Sequence, residues 1–111
     1  MTLHKTNIAD YVGGWFIGGF EPSLLSTHHF EVGLKSYTAG AREPIHYQLT
    51  AKEYTLVISG RCLIGDLELG PGDILTIDPQ EAAGFEALED VVLVAIKVPS
   101  IPGDKQLGTP T

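Results

Sequence analysis

Glycine and proline punctuate this chain so often that little except short strands fits between them. Thirteen Gly and seven Pro fall among 111 residues. Each disfavours a helix, glycine through its backbone freedom and proline through its missing N–H. The apolar runs left between them are rich in β-branched and aromatic residues, which suit pleated strands. Residues 91–98, VVLVAIKV, form the best of these runs. Their β-branched residues fall on both faces, as a strand inside a layered stack requires. Further strands are expected at residues 30–38, 54–64 (bent at Gly60), 66–69, 74–77 and 85–88, with a strong turn at Gly70-Pro71-Gly72-Asp73. Many short strands separated by turns indicate an all-β barrel or sandwich.

Composition narrows the function. A hydrophobic share of 43% and a charged share of 19% fit an ordinary globular chain. The length suits a single domain spanning 1–111, with its core at about 30–98. Fourteen acidic against seven basic residues give a net charge of −7, and the basic residues are scattered along the sequence. That field argues against nucleic acid and against anionic membrane surfaces. Cys62 is the sole cysteine, so no internal disulfide forms, and its apolar surroundings mark it as a packed thiol. The N-terminus lacks the apolar run of a secretory signal, and no stretch approaches a membrane span of roughly 20 residues. A cytoplasmic location is the expectation.

Chemistry gathers between Gly40 and Gly60, GAREPIHYQLTAKEYTLVISG. By strand period, Arg42, Pro44, His46 and Gln48 project from one face. If the strand after the polar break at 49–52 folds back as a hairpin, Glu53 comes beside His46 and Gln48. Imidazole, amide and carboxylate would then converge as the raw material of a metal site. The plain alternative for His46 is a core histidine satisfied by its neighbours. Arg42 is a candidate for pairing with a ligand carboxylate or phosphate, or else a solvated residue at a strand end. Tyr37 and Phe85 are candidate cavity walls.

These residues resemble the first motif of the cupin family: Gly, five residues, His, one residue, His, three or four residues, Glu, six residues, Gly. Gly40, His46, Glu53 and Gly60 match, and Gln48 stands where the second His belongs. A second cupin motif would begin at Gly72, but its Pro, Gly and His positions fall on Asp78, Gln80 and Ala83. The resemblance covers residues 30 to 98. It implies a double-stranded β-helix, the jelly-roll barrel, with a divalent metal (Mn, Fe, Ni or Zn) held by His46, Gln48 and Glu53. The implied function is a small-molecule isomerase, epimerase, lyase or dioxygenase acting on a sugar or organic acid. The alternative is a non-catalytic ligand-binding cupin, or a structural one, that has lost its metal.

The flanks carry weaker signals. Residues 11–20, YVGGWFIGGF, interleave four aromatics with four glycines. They read as an edge strand whose Trp15 and Phe16 close the core or meet a second subunit, and a homodimer is expected on that basis and from the resemblance. His28 and His29 point to opposite faces of a strand, so surface placement is expected for both. Residues 99–111, with three prolines, should run extended over the surface. No Ser-His-Asp arrangement, CxxC pair or phosphate-binding glycine loop is present.

Overall fold

The computed structural model describes residues 2–111. In chain order its strands are β1 (Trp15–Gly18), β2 (Leu25–Ser26), β3 (Glu31–Tyr37), β4 (Arg42–Gln48), β5 (Lys52–Ser59) and β6 (Cys62–Ile64). They continue as β7 (Leu67–Leu69), β8 (Ile74–Ile77), β9 (Ala83–Ala87), β10 (Val91–Val98) and β11 (Lys105–Leu107). Two sheets result, one in the order β2-β1-β3-β10-β5-β8, the other β11-β4-β9-β6-β7. The run at 91–98 is a strand over its whole length and lies inside the larger sheet, between β3 and β5.

Alternation along β10 separates two environments. Val91, Leu93 and Ala95 are buried on the inner face, while Val92, Val94 and Ile96 are half-buried on the outer one. The inner residues join Val57, Cys62, Leu69, Phe85 and Ala87 in one apolar cluster drawn from both sheets. Full burial of a side chain such as Val57 stabilises the fold by roughly 1.5–3 kcal/mol. Cys62 lies in this cluster, completely buried, and burial pushes its thiol pKa up, which keeps it unreactive. Gly60 makes the bend between β5 and β6. Its φ is 81°, and a Cβ there would collide with the Asp90 carbonyl oxygen.

Further along the same inner face the side chains become small. Gly33, Ala95 and Thr55 stand in register across β3, β10 and β5, and the next inward row is Glu31, Lys97 and Glu53. Apolar packing therefore fills one end of the stack, and the row of small residues leaves the other end hollow.

Several expectations are corrected. The hairpin between the strands at 42–48 and 52–59 does not form, because β4 and β5 belong to different sheets. The turn at 49–51 carries the chain across the stack instead of back along one sheet. The aromatic segment 11–20 is a strand only at Trp15–Gly18, preceded by two short 3-10 turns. It is not the edge strand either, since β2 pairs with it in parallel on the outside. His28 and His29 are exposed, as expected.

The segment 99–111 is no loose surface tail. Ser100 and Asp104 are buried, at 2% and 6% exposure. The Ser100 hydroxyl accepts from the Gly19 N–H at 2.9 Å and donates to Glu31 Oε1 at 3.0 Å. The Asp104 carboxylate accepts from the N–H groups of Thr50 and Ala51, at 3.0 and 2.8 Å. These bonds anchor a strap whose last part, β11, pairs with β4. Asp104→Ala removes the acceptor from two backbone donors, one of them fully buried. It is expected to lower stability by about 1–3 kcal/mol in denaturant unfolding, with an unchanged m-value.

Candidate ligand-binding site in the barrel

The hollow end of the stack is a cavity of about 180 Å³. Both sheets line it: His46, Gln48 and Glu43 come from β4, Lys35 and Tyr37 from β3, and Glu53 from β5. The three residues expected to form a metal site thus share one cavity, though they meet across the sandwich. Tyr37 and Phe85 also line it, with ring centroids 4.5 Å apart.

Arg42 does not line the cavity. Opposite β9, Glu43 pairs with Phe85 while His46 pairs with Ala83, so three steps along β4 match two along β9. The bulge falls at Pro44 and Ile45. Proline has no N–H for the ladder, and inside a sheet it is accommodated at bulges. The extra residue switches parity, so Glu43 shares the inner face with His46 and Gln48. Arg42 turns outward, 74% exposed, to a 3.4 Å ion pair with Glu86. At that exposure the pair contributes at most about 1 kcal/mol.

His46 is half-buried, and its Nδ1 lies 3.0 Å from the Pro44 carbonyl oxygen. A carbonyl only accepts, so of the two tautomers of the neutral ring this contact selects the one protonated at Nδ1, with the lone pair on Nε2. Glu53 Oε2 accepts from the Thr55 hydroxyl at 3.3 Å. Tyr37 donates to Glu43 Oε1 at 2.7 Å. Burial, reinforced by this bond to a carboxylate, holds the Tyr37 hydroxyl well above its ordinary pKa.

Strand period also brings in residues that the sequence reading passed over. Lys35 and Lys97 lie on the inner faces of β3 and β10, and Lys105 enters from β11. Trp15 covers Gly33, where a Cβ would fall 2.7 Å from the indole Cε3. Lys35 and Lys97 approach the same ring, at 5.5 and 4.9 Å from its centroid. Lys35 also donates to the Gly13 carbonyl at 2.8 Å. Burial lowers its pKa; Glu43 pulls it back up, and Lys105 and Lys97 push it down. Trp15 therefore faces the cavity, the first of the two placements expected for it.

The donors do not fit a transition metal. Among the described residues no three His, Cys, Asp or Glu gather closely enough to hold one. Ala83, directly opposite His46, offers only a methyl group. Gln48 is 5% exposed, and its Nε2 has no hydrogen-bond partner. Three ammonium groups and three carboxylates line the same space, so the lining carries no surplus of negative charge to draw a cation in.

Two measurements check this geometry. Gln48→Met keeps an unbranched side chain and removes the orphaned donor, so the ligand-free protein is expected to gain about 1 kcal/mol in denaturant unfolding. Unfolded tyrosine ionises near pH 10, whereas folded Tyr37 resists ionisation. Stability is therefore expected to fall as pH rises above about 10, and Tyr37→Phe should flatten that decline in thermal melts across pH 9–12.

At the level of sequence, no family model matches the chain and no match to a curated protein reaches significance. Solved structures do match. A Klebsiella pneumoniae protein with a double-stranded β-helix domain superposes with a TM-score of 0.71 at 20% identity, covering 96% of this chain and 92% of that one. An RmlC-like cupin from Shewanella frigidimarina gives 0.60 at 16% identity, over 68% of this chain and 70% of that one. A sugar phosphate isomerase of the cupin superfamily from Silicibacter pomeroyi gives 0.60 at 20%, over 69% and 54%. With two facing sheets and the motif glycines at their bends, the chain has the double-stranded β-helix fold of the cupins.

Proposed function

We propose that this protein binds a small polar organic molecule inside the barrel without the aid of a metal. One observation carries the reading: both sheets send ionisable side chains into a single cavity that small residues hold open. A structural barrel would fill such a space with apolar side chains, because buried polar groups cost free energy unless they are paired. The volume of about 180 Å³ lies below the usual range of roughly 300–1,000 Å³ for drug-sized ligands, so the ligand is small and a dinucleotide is too large. Sugars and small organic acids are the matching classes.

A catalytic version of this reading draws on His46. Its selected tautomer presents a basic Nε2, and Glu53 lines the same cavity from the opposite sheet. Such a pair suits proton transfer at a carbon next to a carbonyl, the step on which isomerases, epimerases and lyases depend. The sugar phosphate isomerase among the structural neighbours has the same fold, which supports the architecture and leaves the chemistry to this chain's own residues.

Thermal shift against a panel of sugars and organic acids, followed by NMR of the hits in D₂O, tests both levels. Binding that weakens in His46→Ala and Glu53→Gln is expected. Deuterium entering a C–H position of the bound ligand, and lost in His46→Ala by about 10²-fold or more, marks the catalytic version. Ligands that bind equally to wild type and both variants would remove the barrel from the function. A gain in melting temperature with Zn²⁺ or Ni²⁺ that depends on His46 would reinstate the metal.

A further inference from the structure

A second cavity, of about 190 Å³, lies beneath the strap that follows β10. Phe20, Pro99, Ile101 and Pro102 supply its apolar lining, with Glu31 and Asp104 among the polar groups. It shares three residues with the barrel cavity: Gln48, Lys97 and Lys105. These form the wall between the two spaces, and their backbone origins bring them together. Lys105 stands in register with Gln48 across β11 and β4, while Lys97 arrives from the opposing sheet.

Each of the three is a donor with no protein acceptor among the described residues. Gln48 Nε2 is buried and unpartnered, and such a group in a native fold calls for an acceptor. Neither Lys97 nor Lys105 takes part in an ion pair within 4.0 Å among the described residues, where the pairs formed are those of Arg42, Lys52 and Arg61. Glu31 and Glu53 flank Lys97 in register without closing on it. Lys35 senses both other ammonium groups as repulsive neighbours, a repulsion that an anion placed among them would relieve.

We propose that this wall is a carboxylate-binding site, so that the ligand is a small organic acid whose carboxylate is held by Lys97, Lys105 and the Gln48 amide. The inference rests on the barrel-binding reading and deepens it. A carboxylate accepts on two oxygens and carries no donor, which matches three donors from different strands. The charge of the surroundings selects it over a phosphate. Glu43, Glu53 and Glu81 line the barrel cavity and Glu31 lines the second, and this negative ring opposes a dianion more strongly than a monoanion. The carboxylate's organic remainder then extends into the barrel toward His46, or into the apolar space beneath the strap.

Heteronuclear NMR titration of the intact protein with lactate and propionate, beside lactamide, propionamide and inorganic phosphate, tests this. The acids are expected to bind at least about tenfold more tightly than their amides, a difference of roughly 1.4 kcal/mol. Lys105→Met, at an exposed position on the rim, should erase that preference, as should Gln48→Glu, which puts a negative charge where the amide stands. Acids and amides binding alike, phosphate binding more tightly than either acid, or Lys105→Met leaving the preference intact would each overturn the proposal. If the amides bind inside the barrel and the acids gain nothing, the carboxylate wall fails while the barrel reading stands. If no probe perturbs cavity residues, both fail.

Discussion

One surplus residue in β4 decides what this barrel contains. Pro44 lacks the N–H that an inner strand needs on both sides, and the chain absorbs it as a bulge between Glu43 and His46. The phase of alternation changes at that point. Without it, whatever faced inward after the bulge would bring Arg42 inward before it, and Tyr37 would lose its carboxylate partner. With it, Glu43 takes the inner position and bonds Tyr37, while Arg42 is left to solvent. A local defect in hydrogen bonding thus sets the charge of the cavity by choosing a carboxylate over a guanidinium.

Much of the architecture was legible because strands announce themselves through local pattern. The β-branched run at 91–98, the turn at Gly70–Asp73 and the bend at Gly60 all act over a few residues, and each appears where the pattern puts it. Strand pairing is not local. Whether the chain after Gln48 folds back on its own sheet or crosses to the other depends on which partners are available, and β10 and β8 take both sides of β5. His46, Gln48 and Glu53 line one cavity even though the hairpin expected to join them does not form. Pro44 was visible throughout. Weighing its place in an inner strand would have called for the bulge and revealed Glu43.

The lysines teach a related lesson. Counted along the sequence, seven basic residues look scattered, yet Lys35, Lys97 and Lys105 line one cavity. Two were accessible to strand periodicity: Lys97 continues the inward series Val91, Leu93, Ala95, and Lys35 shares a face with Tyr37. Lys105 was not, because its strand is three residues long and pairs with β4 through backbone contacts that no local motif announces. The protein's net charge of −7 therefore says little about how charges are placed, since three lysines and three glutamates line one cavity.

The strap makes the two cavities unequal in permanence. Lys97 sits on a strand paired along its length on both sides, so its position changes only when the whole sheet comes apart. Lys105 belongs to a three-residue strand at the margin of the smaller sheet. Marginal strands of this kind fray through brief local openings far less costly than global unfolding. A molecule seated between the two lysines, as proposed above, would be held by one fixed post and one latch, and its residence time would follow the breathing of the latch.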